Sequence, residues 1–332
     1  KSVPITHSRI IPKIDYEFSI TKLLFGFDID KPYTIITNQI ALVSAAEKCR
    51  PAFCKTQIEQ SQSSQATLTS ENENAGETTE QFEAITSSIS VADINIRNQT
   101  SYAIDVQKLI DEKPSFCIDN KQPQVLVFHT HTSEAYAPDE KNNYSPTDPG
   151  RTEDEKFNVV RVGDIITEKL NKAGIKTLHD KTLHDYPSYS GSYKKSLDTV
   201  QRNLKEHPSI KVVLDIHRDA VITKDGTSLE VSATINDKKT AQVMIVCGSD
   251  GNDLEHPNWR ENLKFAILLQ AKMNTLYPGL ARPLLLVNER YNMHTSTGAL
   301  LLEIGSSGNK LNEALRAGEY CADSIAKVLL ER

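Results

Sequence analysis

The stretch that most constrains the fold is residues 124–136, which read QVLVFHTHTSEAY. Pro123 lies just before this stretch. Four apolar residues, 125–128, end abruptly in a polar run that contains His129, His131 and Glu134. An unbroken apolar run of this length is typical of a strand buried on both faces of an α/β sheet. Ligands bind outside the carboxyl ends of such strands. The polar run is therefore predicted to lie at a binding edge.

Two later stretches repeat this pattern. Residues 211–220, KVVLDIHRDA, predict a buried strand that runs into His217, and residues 299–305, ALLLEIG, predict another that carries Glu303. If the three strands are neighbours, two imidazoles, a nearby acid and a further glutamate meet at one edge. That set fits a catalytic zinc site, which keeps three protein ligands and a water beside a separate carboxylate.

The segments between these strands alternate in type. Helical spacing of apolar residues predicts helices over 158–173, 193–204, 259–276 and 311–330, while short apolar runs predict strands at 175–178, 242–247 and 284–287. The sequence NDKK, residues 236–239, predicts a hairpin. This alternation predicts an α/β fold, with a mostly parallel twisted sheet of about six strands flanked by helices.

Composition divides the 332 residues into four parts. Residues 57–83 are rich in Ser, Thr, Gln, Asn and Glu and nearly free of large apolar residues, so they predict a flexible linker. The linker separates a small accessory region, 1–56, from a lead-in segment, 84–123, and a catalytic domain, 124–332.

The net charge, the length of the apolar runs and the first residue limit the possible partners and location of the protein. The net charge of −6, without a basic stripe, argues against a nucleic-acid partner. No apolar run reaches the roughly 20 residues that a membrane helix needs. The sequence begins with Lys1 and not with an initiating Met, so we expect that an N-terminal targeting or anchoring segment is missing. Cys49 and Cys54 could form a disulfide, and their spacing disfavours a zinc knuckle.

The metal ligands can be chosen in more than one way. We predict His131 and His217 as ligands, since each follows an apolar strand and has an acid nearby. His129 is an alternative ligand or a supporting partner. Glu134 is the preferred acidic ligand because it needs only a tight loop, and Glu155 is the alternative because it precedes a predicted helix.

Glu303 is predicted to be the catalytic base, since burial at a strand end raises the pKa of a carboxyl. The competing interpretation is an ion pair with Arg218. We expect Arg218 and His294 to bind substrate, and the tyrosines of 185–193 to form either a substrate wall or a packed turn. Other histidines are expected on solvated faces: His179, His184 and His207.

Seven blocks in order carry a family resemblance: HTHTSEAY, HDYPSYSGSY, VVLDIHRDA, AQVMIVCGSD, HPNWRENL, YPGLARP and LLLEIGSSGN. Over about 125–330 the chain resembles the stage II sporulation protein P family of endospore-forming bacteria. More distantly, it resembles zinc-dependent N-acetylmuramoyl-L-alanine amidases of the Amidase_3 type. His131 and His217 of this chain match the metal-binding histidines of those amidases, and Glu303 matches their catalytic glutamate. Here HTHT replaces a glycine-rich block, and the Glu155–Lys156 pair resembles the amidase E-K.

The resemblance implies hydrolysis of the bond between N-acetylmuramic acid and L-alanine in peptidoglycan, with endopeptidase action on cross-links as a further activity. It also implies Zn²⁺ as cofactor and action during engulfment with stage II sporulation proteins D and M. The resemblance further implies that the protein is exported, anchored in the membrane and facing the space between mother-cell and forespore membranes. The alternatives are a non-catalytic wall-binding scaffold and a zinc carboxypeptidase-like peptidase.

Overall fold

The structure is a computed structural model that describes residues 90–119, 121–145, 150–252 and 254–331. The predicted accessory region 1–56, the predicted linker 57–83 and the cysteine pair Cys49 and Cys54 lie outside the described residues. The described residues belong to one compact unit.

Helices and strands alternate along the chain as predicted. The helices are α1 Val106–Glu112, α2 Val159–Lys172, α3 Ser192–Glu206, α4 Trp259–Leu276 and α5 Leu311–Leu330. The strands are β1 Ile96–Asn98, β2 Val125–Phe128, β3 Thr177–His179, β4 Val212–Asp219, β5 Ser232–Ile235, β6 Lys238–Ala241, β7 Val243–Cys247, β8 Leu284–Leu286 and β9 Gly298–Ser306. Short 3-10 turns cover Val91–Asp93 and Met293–Thr295.

Seven strands form the main sheet, in the order β1-β8-β7-β9-β4-β2-β3. Neighbouring strands are parallel except for β7 and β9, which are antiparallel. The predicted α/β class with a mostly parallel sheet is therefore confirmed, with seven strands where about six were expected. The additional edge strand, β1, comes from the segment predicted to lead into the domain.

The hairpin predicted around residues 236–239 forms a separate two-stranded sheet of β5 and β6. Its turn residues Asn236 and Asp237 both have positive φ, 50° and 59°. Two such residues match a type I′ turn, whose twist suits an antiparallel hairpin. Asn and Asp tolerate this left-handed conformation better than most residues, which explains why the chain reverses there.

The helices cover the faces of the main sheet. Helix α2 begins where the Asn158 side chain accepts a hydrogen bond from the N–H of Val160, and its buried residues lie on one face. Helix α4 is buried along most of its length, which fits its position between the sheet and other helices. No helix in the described ranges combines the length and apolar character needed to cross a bilayer.

The single antiparallel pair gives the main sheet two carboxyl edges. Strands β2, β4 and β9 end at one edge, which we call the first edge. Strands β1, β7 and β8 run the other way and end at the opposite side, which we call the second edge. Since polar loops converge at carboxyl edges, each edge can carry a site.

Candidate active site

The three predicted polar strand ends meet at the first edge. His217 in β4 is the register partner of Glu303 in β9. The rings of His131 and His217 have centroids 5.3 Å apart, and Nδ1 of His217 lies 3.4 Å from Oε2 of Glu134. Residues separated by up to 172 positions in the sequence therefore form one cluster, because their strands are neighbours in the sheet.

The loop after β2 is held by Asp215, which lies on β4. Its carboxylate accepts hydrogen bonds from the N–H of Thr130, at 2.8 Å, and from the hydroxyl of Thr130, at 2.6 Å. The N–H of Glu134 in turn donates to the carbonyl of His131 at 3.1 Å, which closes a tight turn. This turn brings the Glu134 carboxylate back toward the histidines, as the preferred ligand choice requires.

Both imidazoles are buried, and their surroundings shift their pKa values in opposite directions. Burial lowers the pKa of His217, but Asp215 and Glu134 outweigh it, so the pKa is raised well above its usual range. Nε2 of His217 lies 2.9 Å from Oδ1 of Asp215, off the line of a good hydrogen bond. Burial holds the pKa of His131 well below its usual range, and its Nδ1 has no hydrogen-bond partner among the described residues.

The two glutamates of the cluster also differ. Burial raises the pKa of Glu134, but Arg218 and His217 outweigh it, so this carboxylate stays ionised. Burial raises the pKa of Glu303 from 4.5 to about 8, with the His217 charge opposing the rise and Asp219 adding to it. Oε2 of Glu303 has no hydrogen-bond partner among the described residues. The raised pKa predicted for Glu303 is thus present.

The donor types at the first edge fit zinc, since two imidazoles and one carboxylate are a common catalytic ligand set. Nδ1 of His131 and Oε2 of Glu303, which lack hydrogen-bond partners among the described residues, mark the same place as incompletely satisfied. In the described residues, however, no group of three His, Cys, Asp or Glu side chains already stands in metal-binding positions. The predicted zinc ion stays a prediction.

His129, the alternative ligand, points away from this cluster. Its Nδ1 lies 2.9 Å from the carbonyl oxygen of Ile216, and its Nε2 lies 2.8 Å from Nε2 of His179. An extended chain would place His129 on the same face as His131, but β2 ends at Phe128 and the next residues turn. Burial, with His179 adding to it, lowers the pKa of His129 to about 3.

Glu155, the alternative acidic ligand, lies at the surface. Its carboxylate is exposed and pairs with Lys181 at 3.6 Å. Glu134, in contrast, is buried and lies beside His217. The geometry therefore favours Glu134 over Glu155 as the acidic member of the cluster.

The buried Arg218 side chain hydrogen-bonds to the backbone of two nearby residues. Its guanidinium donates to the carbonyls of Ala135 and Gly150, each at 3.0 Å. The backbone N–H of Arg218 donates to the Glu134 carboxylate at 3.2 Å. The competing ion pair between Arg218 and Glu303 does not form among the described residues, where Oε2 of Glu303 has no hydrogen-bond partner. These contacts describe a structural role for Arg218, and substrate binding by it stays a prediction.

The structure does not place His294 with the other predicted site residues. It lies in the 3-10 turn before β9, next to Arg290, whereas Glu303 lies near the other end of β9. Five strand residues separate the strand start from Glu303, or roughly 16 Å at 3.3 Å per residue. Proximity in sequence was misleading because β9 itself spans the sheet, so His294 belongs to the second edge.

The prediction that His184 and His179 lie on solvated faces is wrong. His184 is buried, and its ring nitrogens contact the carbonyl of His129 at 2.7 Å and the hydroxyl of Thr199 at 2.9 Å. The His179 side chain is largely buried and contacts Asp164 at 3.0 Å. Their charged sequence neighbours suggested solvent exposure, but both histidines line the space behind the loop after β2.

Two of the tyrosines predicted as a wall or a packed turn, Tyr189 and Tyr193, pack on His131, whereas Tyr186 is exposed. The Tyr189 ring stacks on His131 with centroids 4.4 Å apart, and its hydroxyl lies 3.1 Å from Nε2. Tyr193 meets the same imidazole edge-on, at 5.5 Å. Tyr291, which the sequence did not indicate, packs on Tyr193 at 5.3 Å. Asp185 and Arg151 form a further unexpected pair, at 2.6 Å, beneath this wall.

Fold and site together define an α/β protein with a buried histidine and carboxylate cluster at the carboxyl edge of parallel strands. Sequence comparison then places it more narrowly. The chain belongs to the Stage II sporulation protein P family, whose sequence pattern matches residues 30–326.

One relative is Stage II sporulation protein P of Bacillus subtilis (strain 168), which is 34% identical over 217 residues. The match covers 61% of this chain and 50% of the relative, so the chain spans about half the length of that protein. Among solved structures, N-acetylmuramoyl-L-alanine amidase AmiC2 of Nostoc punctiforme is similar at 11% identity and a TM-score of 0.38, covering 64% of this chain and 97% of the amidase. An N-acetylmuramoyl-L-alanine amidase from Clostridium difficile 630 has 14% identity and a TM-score of 0.35, with coverage of 64% and 97%.

Proposed function

We propose that this protein is a peptidoglycan hydrolase that cleaves the amide bond between N-acetylmuramic acid and L-alanine. The observation that carries the proposal is the Glu303 carboxyl beside His217 at the first edge, whose Oε2 lacks a hydrogen-bond partner in the part of the chain that the structure describes. A buried carboxyl with a pKa near 8 suits a group that exchanges protons at neutral pH. Membership of a sporulation protein family supports a cell-wall substrate.

In this proposal His131, Glu134 and His217 hold a zinc ion. When bound, zinc supplies an acidified water and polarises the scissile carbonyl. Glu303 accepts a proton from the attacking water and returns it to the leaving amine. A cation nearby would also lower the pKa of Glu303 toward the working pH, because an opposite charge favours the ionised carboxylate.

The surrounding residues would orient the ligands and the substrate. Asp215 faces the second nitrogen of His217, and a carboxylate in that position keeps a metal-binding imidazole in one orientation. Tyr189 stacks on His131, while Arg151 lies 4.7 Å from the Tyr189 ring on its far side. These rings and charges form one wall of the proposed substrate cleft.

The family also motivates a cellular setting, which we propose with the activity. The protein would be exported and anchored in the membrane through an N-terminal segment. It would act between the mother-cell and forespore membranes during engulfment, together with stage II sporulation proteins D and M. Cleavage of peptide cross-links is a second activity that the same site could support, since both reactions hydrolyse an amide.

Digestion of purified sacculi by the zinc-loaded protein tests the proposal. An amidase releases whole stem peptides, even from glycan strands that lack cross-links, and mass spectrometry of the products identifies them. Glu303→Gln should abolish release while zinc content stays unchanged, and Glu168→Gln, at an exposed position of α2, is the matched control.

The competing functions give different products. A zinc carboxypeptidase-like enzyme would release single amino acids from the ends of stem peptides, and a wall-binding scaffold would sediment with sacculi without releasing anything. Full activity in Glu303→Gln would contradict the role of this residue, and the absence of free stem peptides would contradict the amidase.

A further inference from the structure

The second edge of the sheet holds a group of buried polar atoms that lack partners. In the described residues, ten buried side-chain nitrogen or oxygen atoms have no hydrogen-bond partner. Three of the ten belong to the candidate active site. Five others lie on residues near the second edge: Gln99, His256, Arg290 and His294, with both ring nitrogens of His256 included. Since native proteins rarely leave such atoms unsatisfied, this concentration needs an explanation.

Three hydrogen bonds, each involving at least one backbone group, locate these residues in the sheet. Gln99 follows β1, and its N–H donates to the carbonyl of Leu286 in β8 at 2.8 Å. The Arg290 guanidinium donates to the carbonyl of Glu255, the residue before His256, at 2.9 Å. The sulfur of Met293, the residue before His294, lies 3.1 Å from the N–H of Gly248 at the end of β7. These contacts place all four residues at the carboxyl ends of β1, β7 and β8, and Arg290 and His294 are close enough to His256 to influence the charge of its ring.

His256 is the centre of the group and is only 1% exposed. Burial, with His294 and Arg290 adding to it and Asp250 opposing it, lowers the pKa of His256 to about 4. The imidazole is therefore neutral near pH 7, with one N–H donor and one bare nitrogen, neither of which is bonded within the described structure. Leaving such a buried group unsatisfied costs about 1–3 kcal/mol.

Donors dominate this group. Arg290 has a guanidinium Nε–H without a partner among the described residues, and the Gln99 amide nitrogen can only donate. His256 lies two residues before Asn258, the N-cap of the 18-residue helix α4, and Asn258 makes no side-chain cap. The N-terminus of a helix carries a partial positive charge, which favours an anion nearby. The missing partner is thus an acceptor with negative charge.

We propose that the second edge is a binding site for an oxyanion, meaning a carboxylate or a phosphate group, held by Arg290, His256, His294 and Gln99. The oxygens of such a group would accept hydrogen bonds from the donors that now lack partners. The site lies on the loop that also carries Tyr291, which packs on Tyr193 of the candidate active site. Its existence does not depend on the proposed hydrolysis.

The loop that carries Arg290 and His294 is fixed before any ligand arrives. Tyr291 in this loop has a positive φ of 48°, a conformation that a tyrosine rarely adopts. Asn292 holds the loop in place by donating to the hydroxyl of Ser196 and to the carbonyl of Tyr193, each at 2.9 Å. Since the donors are already in position, binding an anion requires little further ordering.

Titration with inorganic phosphate and with acetate tests the proposal, each at constant ionic strength against sodium chloride. Two-dimensional NMR of the backbone and of the histidine rings should show saturable shifts at the second edge. Arg290→Gln and His256→Leu should each weaken binding at least about tenfold, which corresponds to about 1.4 kcal/mol. Arg260→Gln is the matched control, because that guanidinium lies 4.3 Å from the Trp259 ring instead of among the unpaired donors.

The two probes also distinguish the sources of the anion. Tighter binding of acetate would indicate a peptide carboxylate, and tighter binding of phosphate would indicate free phosphate or a phosphate headgroup, with either result supporting the site. Thermal unfolding checks that the variants fold, and Arg290→Gln decides alone if His256→Leu does not. Chemical shifts that do not saturate in the wild type, or equal affinities in wild type and Arg290→Gln, would overturn the proposal.

Discussion

The unpaired carboxyl of Glu303 makes a prediction about stability that is independent of catalysis. Burial raises its pKa from 4.5 to about 8, so the folded, metal-free protein binds a proton at this residue more tightly than the unfolded chain does. The stability that comes from the neutral carboxyl is complete below about pH 4.5 and is lost as pH rises toward about 8. Glu303→Gln removes the ionisation, so the variant should not show this loss.

The shifted pKa sets the size of the effect. A rise from 4.5 to about 8 spans about 3.5 pH units, and each unit corresponds to about 1.4 kcal/mol. The free energy of unfolding of the variant, relative to wild type, should therefore increase by up to about 5 kcal/mol between pH 4.5 and pH 8. For a domain of this size that is a difference in melting temperature of about 10 °C or more at pH 8.

Urea unfolding of both proteins across this pH range, in the presence of a metal chelator, measures the difference. His217 is present in both proteins, and its charge opposes the rise in the pKa of Glu303, so the value of about 8 already includes its effect. Glu168→Gln, at an exposed position, should give no pH-dependent gap. A gap between Glu303→Gln and wild type that stays constant from pH 5 to pH 9 would refute the reasoning, because Glu303 would then not be desolvated.

Three further substitutions test neighbouring parts of the structure. His217→Ala should lower both bound zinc and hydrolytic activity, and native mass spectrometry showing full zinc content would contradict its role as a ligand. Gly163→Ala should destabilise the fold by about 1–3 kcal/mol in urea unfolding, since the added Cβ would lie 2.6 Å from Nε2 of His179; unchanged stability would show that the ring can move aside. Arg282→Met should cost about 3 kcal/mol, because it leaves the buried Asp219 carboxylate unpaired; equal unfolding curves would mean that solvent reaches this carboxylate.

Secondary structure was the part of the fold most accessible from the sequence. The predicted bounds of α4 and α5 coincide with the observed ones, Trp259–Leu276 and Leu311–Leu330. Both helices carry long apolar patterns, and α4 is followed by a Pro-Gly pair that ends it. Each signal lies within one segment, so it can be interpreted without knowing the rest of the chain.

The candidate site was partly accessible for the same reason. Polar residues that follow apolar strands indicated His131, His217 and Glu303 before their register was known, and the structure brings them together. The strand pattern could not indicate Tyr291 or Asp185, because neither follows a strand. They reach the cluster through loops whose paths depend on contacts with α3 and with the loop after β2.

The sequence by itself determined the order of helices and strands and the residues that end them, because hydrophobic periodicity acts over a few neighbouring residues. Only the tertiary structure decided that β7 runs antiparallel to β9, that Glu134 and not Glu155 faces His217, and that His294 lies at the second edge. These features depend on strand pairing and loop paths between distant segments. Their energies come from burial and hydrogen bonds that exist only once the chain is packed.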